Sequence, residues 1–255
     1  MRAKRPDHPG GRSAEPDPPT VYVLGYRVAQ VGLERAVTWA LSAAHHHAGS
    51  ARLLVTLNPE IVVQAETDLE LKNALHHADL NVADGVGITW AAKRSGTPLP
   101  ERVPGVELMT RLLERGGPGL RVYFLGARPG VAERAAARAH EHYGTVVAGV
   151  QHGYFRRPDD VPEVVDAVAQ SGAQLLLAGL GEGQELFLHT HRVALRVPLM
   201  MGVGGALDVL SGEVERTPAW THKLGLEWAY RVGFDPERWH RIPRLVRFVR
   251  LVVTG

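Results

Sequence analysis

Leu177-Ala-Gly-Leu-Gly-Glu-Gly-Gln-Glu185 compresses the end of an apolar run, a glycine loop and the start of a helix into nine residues. The run itself, Leu175–Ala178, carries no polar residue, as expected of a strand buried on both faces. Gly179, Gly181 and Gly183 allow backbone N–H groups to face a phosphate, and a following helix start adds partial positive charge. The spacing is G-x-G-x-G. A dinucleotide turn has G-x-G-x-x-G and an acidic residue about 20 positions further on. Here that place falls at Leu199 among apolar neighbours, which weakens an NAD reading.

Outward from this segment the same grammar repeats. Short apolar runs occur at Val21–Leu24, Leu53–Leu57, Leu80–Ala83, Val122–Leu125, Val146–Val150 and Val197–Met201. Helical patterns lie between them at Leu33–His46, Leu69–His77, Val106–Leu113, Val131–His142, Pro162–Gln170 and Gln184–Leu195. Strand and helix alternation of this kind predicts an α/β fold, a mostly parallel sheet with helices on both faces. No long-period repeat is present, which excludes a solenoid. Residues 1–19 are rich in Pro, Gly and charge and read as a disordered leader. Residues 20–215 form the expected core, and residues 216–255 a basic, aromatic C-terminal appendage.

Composition narrows the function classes. With 255 residues, 45% hydrophobic and 22% charged, the chain has enough apolar side chains for a sizeable core. There is no cysteine, so disulfides, thiolate–zinc sites and cysteine nucleophiles are excluded. No apolar run reaches the roughly 18 residues of a transmembrane helix. The N-terminus lacks the apolar stretch of a secretory signal. The net charge is only +2, yet Arg216 to Arg250 holds eight Lys/Arg against three Asp/Glu. A basic tail of this kind suits a phosphate-bearing partner: nucleic acid, an anionic membrane or a diphosphate substrate. Its last stretch, Ile242–Val253, places Ile242, Leu245, Val246, Val249, Val252 and Val253 on one helical face, with Arg244, Arg247 and Arg250 off it. That face suits either a membrane interface or packing on the core or a neighbouring subunit.

Ligands of open parallel sheets bind at the carboxyl ends of strands. Thr56-Leu-Asn-Pro-Glu60 sets a hydroxyl and the Asn58 amide at one such end, where Asn58 also suits a helix cap. Asp84-Gly85 follows Leu80–Ala83, and Asp84 fits a general base, a metal ligand or a cap. Arg102, on the loop before Gly105, suits an anion or is a plain surface arginine. Gly126-Ala-Arg-Pro-Gly130 and Gly202-Val-Gly-Gly205 are further glycine turns. Thirteen histidines raise a metal reading, but His45, His46 and His47 are consecutive and diverge on a helix, and no H-E-x-x-H occurs. No metal or cofactor is expected.

Taken together, seven segments resemble the WecG/TagA/CpsF glycosyltransferases, in family order from about Thr20 to Leu251. They are Thr56-Leu-Asn-Pro-Glu60, Ala83-Asp-Gly-Val-Gly87, Glu101-Arg-Val-Pro-Gly105, Gly179-Leu-Gly with Gln184-Glu185, Gly202-Val-Gly-Gly-Ala-Leu-Asp208, Arg216-Thr-Pro-Ala-Trp220 and Gly225-Leu-Glu-Trp-Ala-Tyr-Arg231. The resemblance implies a Rossmann-like core with a C-terminal appendage that helps complete the active site. It implies an inverting, metal-independent transfer of an N-acetylmannosamine-type sugar from a UDP-sugar to a polyprenyl-diphosphate-linked acceptor, for cell-surface polysaccharide. It points to Asp84 as base, with Thr56 and Asn58 beside it, and to Arg102, Gly179, Gly181, Gln184, Glu185 and the appendage arginines Arg231 and Arg238 as substrate contacts. The implied location is cytoplasmic, peripheral at the inner face of the plasma membrane, with the tail on anionic lipid. Nucleic acid is not an expected partner, because the core lacks a basic stripe interleaved with aromatics; a homo-oligomer is left open. Many members of the family carry a Pro and a basic residue before Gln-Glu, where this chain has Glu182-Gly183. The alternative is therefore a catalytically degenerate member or a nucleotide-sugar-binding protein.

Overall fold

A computed structural model describes residues 15–45, 51–155, 160–215 and 242–254. Six parallel strands form the central sheet: β3 (Arg52–Leu57), β4 (Leu80–Ala83), β5 (Arg121–Gly126), β6 (Val146–Gln151), β7 (Leu175–Gly179) and β8 (Leu199–Gly202), in the spatial order β4-β3-β8-β7-β5-β6. The period of two in a strand sends alternate residues to opposite faces. Leu53, Val55, Leu57, Leu176, Ala178 and Met200 thus enter one apolar cluster, while Leu54, Leu175, Leu177, Leu199 and Met201 enter the other. Both faces are covered, as the predominantly apolar runs predict. Each fully buried Leu or Met contributes about 1.5–3 kcal/mol relative to exposure.

The first face carries α2 (Pro59–Ala65), α3 (Leu69–His76), α4 (Val86–Arg94), α7 (Asp160–Gln170), α8 (Gln184–Thr190), α9 (Arg192–Leu195) and α11 (Ile242–Thr254). On the second lie α1 (Leu33–His45), α5 (Gly105–Gly116), α6 (Val131–Tyr143) and α10 (Ala206–Ser211). The α/β expectation holds.

Three local features differ from the sequence reading. Val21–Leu24 does not join the sheet: Thr20–Val23 (β1) pairs antiparallel with Tyr26–Ala29 (β2) around Leu24-Gly25, both at positive φ (49° and 83°). Two such residues make the tight turn whose twist suits a hairpin, and Leu is an unusual occupant, which hid β2. The hairpin flanks edge strand β4, where Asn81 Nδ2 donates to Arg27 O at 3.0 Å. Gln184–Leu195 splits into α8 and α9 at His191. Finally, the end of the Pro-rich leader is tied down. Glu15 N donates to Ser42 Oγ at 2.8 Å, and Asp17 Oδ1 accepts from Trp39 Nε1 at 2.9 Å and Arg52 Nη1 at 2.7 Å.

Candidate active site

All six strands of the parallel sheet present their carboxyl ends to one side, and there the motif residues gather. β3 ends in Leu57-Asn58. Asn58 Oδ1 accepts from Glu60 N (3.0 Å) and Ile61 N (3.1 Å), capping α2 behind Pro59. Of its two sequence readings, the cap is the one with visible partners.

Asp84 ends β4 and behaves differently from a cap on the next helix. The N-cap of α4 is Gly85, at φ 87°, with no side-chain bond. Asp84 Oδ2 instead accepts from Gly105 N at 3.2 Å, the first residue of α5 and 21 positions away. A carboxylate at a helix start meets an N–H without an intrahelical partner and the positive end of the dipole. The connecting loop is itself anchored, Val103 N donating to Ala83 O at 2.7 Å, which sets half-buried Arg102 next to this strand end. Gly105 packs closely against the Thr56 and Asp84 side chains. A Cβ there would lie 3.1 Å from Thr56 Oγ1 and 3.4 Å from Asp84 Oδ2. Thr56, Asp84 and the Gly105 N–H thus face one point.

The glycine turns divide into two kinds. Gly179 is a packing glycine, since a Cβ would sit 2.8 Å from Gly204 O and 3.0 Å from Leu207 Cδ1. Gly181 and Gly183 have φ of 74° and 86°, and among the described residues nothing lies within 4 Å of where a Cβ would be. Their turn is exposed. Gln184 and Glu185 are buried, 8% and 6% exposed. Gln184 Oε1 accepts from Gly204 N at 3.0 Å, and its Nε2 donates to Glu185 Oε1 at 2.7 Å. Both lie so close to Gly202 that a Cβ would be 2.8 Å from each. Their visible partners are each other and the β8 turn. Burial pushes the Glu185 carboxyl up, partly offset by the Gln184 hydrogen bond. The third turn is closed against β7: Gly126, at φ 128°, cannot carry a Cβ beside the Gly179 peptide, and Ala127 N donates to Gly179 O at 2.8 Å.

The sheet order spaces Asp84 and Gly179 by three strand intervals, about 14 Å, at the same end. Across this end runs α11. Phe248 and Val252 are buried, and a Cβ on Gly87 would be 3.1 Å from Phe248 Cε1. Arg94 Nε donates to Val252 O at 3.1 Å, satisfying a last-turn carbonyl. Arg244 Nη1 lies 2.6 Å from Glu182 Oε1. The departure at Glu182 is thus paired with a cation. Sequence reasoning missed the Gly105 N–H, Gly87, Phe248 and this ion pair. Only Gly87 had a signal, as the second glycine of the Asp84 motif. Arg231 and Arg238 lie outside the described residues.

Residues 21–255 match the family described as Glycosyl transferase WecG/TagA/CpsF family. The chain belongs to this family. It is a glycosyltransferase, and the five motifs of the resemblance that fall within the described residues lie at one end of its sheet, while Arg216–Trp220 and Gly225–Arg231 lie outside the described residues. A relative in Bacillus spizizenii, named N-acetylglucosaminyldiphosphoundecaprenol N-acetyl-beta-D-mannosaminyltransferase, is 34% identical over 203 residues, covering 78% of each chain.

Proposed function

We propose that this glycosyltransferase moves an N-acetylmannosamine-type sugar from a UDP-sugar to a polyprenyl-diphosphate-linked N-acetylglucosamine acceptor, in cell-surface polysaccharide synthesis. The relative's name supports the substrate pair. The observation that carries the mechanism is the Asp84 carboxylate, oriented by the Gly105 N–H beside Thr56 at the carboxyl end of β4.

Asp84 takes the proton of the acceptor hydroxyl as its oxygen bonds to the anomeric carbon. The bond to the UDP oxygen breaks with its electron pair leaving on UDP. One displacement inverts the anomeric centre. Thr56, and Asn58 through the Nδ2 that the cap leaves over, hold sugar hydroxyls. Charge develops on the leaving diphosphate, where preorganised donors contribute most. The exposed Gly181 turn, Arg102 and the appendage arginines Arg231 and Arg238 supply them, with no divalent ion required. Gly179 lets the β7 and β8 turns approach, and Gln184 and Glu185 fasten them together. The test is UDP release from UDP-N-acetylmannosamine with a short-chain polyprenyl-diphosphate-N-acetylglucosamine. Turnover is expected, and it is expected to survive EDTA. UDP binding without turnover on any candidate donor would leave only the nucleotide-sugar-binding reading.

The acceptor's lipid implies a membrane-surface enzyme, peripheral at the inner face of the plasma membrane. Among the described residues no helix is long and apolar enough to cross a membrane. Of the six residues expected on one apolar face of α11, Val252 is buried and Leu245 half-buried, while Ile242, Val246, Val249 and Val253 are 43–65% exposed beside Arg247 and Arg250; the other buried residue, Phe248, lies off that expected face. Trp90 and Val86, one turn apart on neighbouring α4, are also exposed. This outer stripe is the membrane contact, with each nearby Lys or Arg worth about 1 kcal/mol at an anionic surface. Full-length protein is expected to float with phosphatidylserine- or phosphatidylglycerol-containing liposomes, and protein truncated after Arg241 is not. Equal flotation of the two would retire the membrane contact.

A further inference from the structure

The two ends of α11 are held by different physics. Its middle and end are packed through Phe248 and Val252 and bonded through Arg94. Its start is held by charge, Arg244 to Glu182 at 2.6 Å, with the two side chains 29% and 67% exposed. Glu182 lies between Gly181 and Gly183, whose positive φ and open surroundings leave the turn accessible. The Arg244 guanidinium therefore rests within one side-chain length of the backbone to which the donor diphosphate is assigned above. An ion pair this exposed adds little to stability, and the packed half of α11 does not depend on it. A diphosphate is a stronger claimant than a carboxylate, because it carries more charge and accepts paired bonds from a planar guanidinium.

We propose that Glu182 and Arg244 form a donor-responsive latch. Glu182 holds the guanidinium at the glycine turn while the site is empty, and an incoming diphosphate takes it over. A group that must leave an internal partner binds its ligand more weakly, in proportion to the time it spends released. Glu182 thereby lowers the grip on the nucleotide, for the donor and for the UDP product that has to depart. The inference rests on the donor reading above and gives a role to the one acidic residue of the turn.

The test needs binding alone. UDP, and separately inorganic pyrophosphate, are titrated calorimetrically into full-length wild type, Glu182→Gln, Arg244→Gln and the double variant. Glu182→Gln is expected to bind about 3- to 5-fold tighter, the range of an exposed pair. Arg244→Gln is expected to bind about 10-fold more weakly or worse, as for a lost hydrogen bond to a charged group. The gain from Glu182→Gln must vanish in the Arg244→Gln background, where the Arg244 guanidinium is no longer there to be released. An equal gain in both backgrounds makes Glu182 a simple repulsive charge and overturns the latch. So does unchanged binding by Glu182→Gln. If wild type binds neither UDP nor pyrophosphate, the donor reading itself falls and takes the latch with it, which separates that failure from failure of the latch alone. Thermal melts and Arg244→Lys, which keeps the charge without the planar fork, guard against a folding artefact. The lysine variant is expected between wild type and Arg244→Gln.

Discussion

Asp84→Asn is expected to turn over at least about 100-fold more slowly than wild type, the lower bound for losing general-base assistance, while UDP binding is unchanged. The substitution isolates the chemistry from the architecture. The amide introduced there would keep an oxygen able to accept the Gly105 N–H that Asp84 Oδ2 holds at 3.2 Å. The β4 end, the anchored loop and α5 therefore stay in place, and only the proton acceptor is lost. Single-turnover transfer and a UDP titration on the same preparation check both halves. Turnover near the wild-type rate would remove Asp84 from the mechanism. Unchanged turnover with weakened UDP binding would make it a donor contact instead.

Phe248→Ala is expected to release α11 without unfolding the sheet. Truncating a buried Phe costs about 3–5 kcal/mol, and Phe248 is 2% exposed, with its ring beside Gly87. A 13-residue helix has little stability of its own, so its tertiary contacts are what keep it seated. Once those are weakened, the Arg94 and Arg244 bonds are too few and too exposed to hold it. Hydrogen exchange should show residues 242–254 losing protection while β3, β7 and β8 keep theirs. Turnover should fall about 100-fold, the scale of a catalytic site displaced by an ångström or so. Protected residues 242–254 would show that the helix does not need Phe248, and lost protection with normal turnover would show that it does not serve the site.

The parts of the fold that were legible share one property: their signal is local. Val122–Leu125 and Leu175–Ala178 read as strands because parallel strands buried on both faces need uninterrupted apolar runs, and the two runs fall within β5 and β7. α1, α3 and α6 announced themselves by period. β2 did not, because Tyr26-Arg-Val-Ala is four residues long and its turn uses Leu24 at positive φ. α2 and α4 were hidden inside the motifs that precede them. At the candidate site, Thr56, Asp84, Arg102 and Gly181 were picked out as candidates from their places at strand ends or before helices. What each of them touches was not. The Asp84 partner is 21 residues away across β4 and α5, and the Glu182 partner 62 residues away on α11.

From its sequence alone, this chain is a parallel α/β protein with its polar motifs at strand ends. Hydrophobic period and glycine placement act over a few neighbouring residues and need no knowledge of the rest. Tertiary structure decided which of those motifs share a site. Strand order, β4-β3-β8-β7, brings Asp84 and the glycine turns to one end of the sheet, and strand order is a property of long-range packing. It also turned Gln184 and Glu185 inward, paired Glu182 with Arg244 and buried Phe248 while leaving Ile242, Val246, Val249 and Val253 of the expected α11 face at the surface. Each of these outcomes depends on which surfaces the folded chain brings into contact, and distance along the chain does not record that.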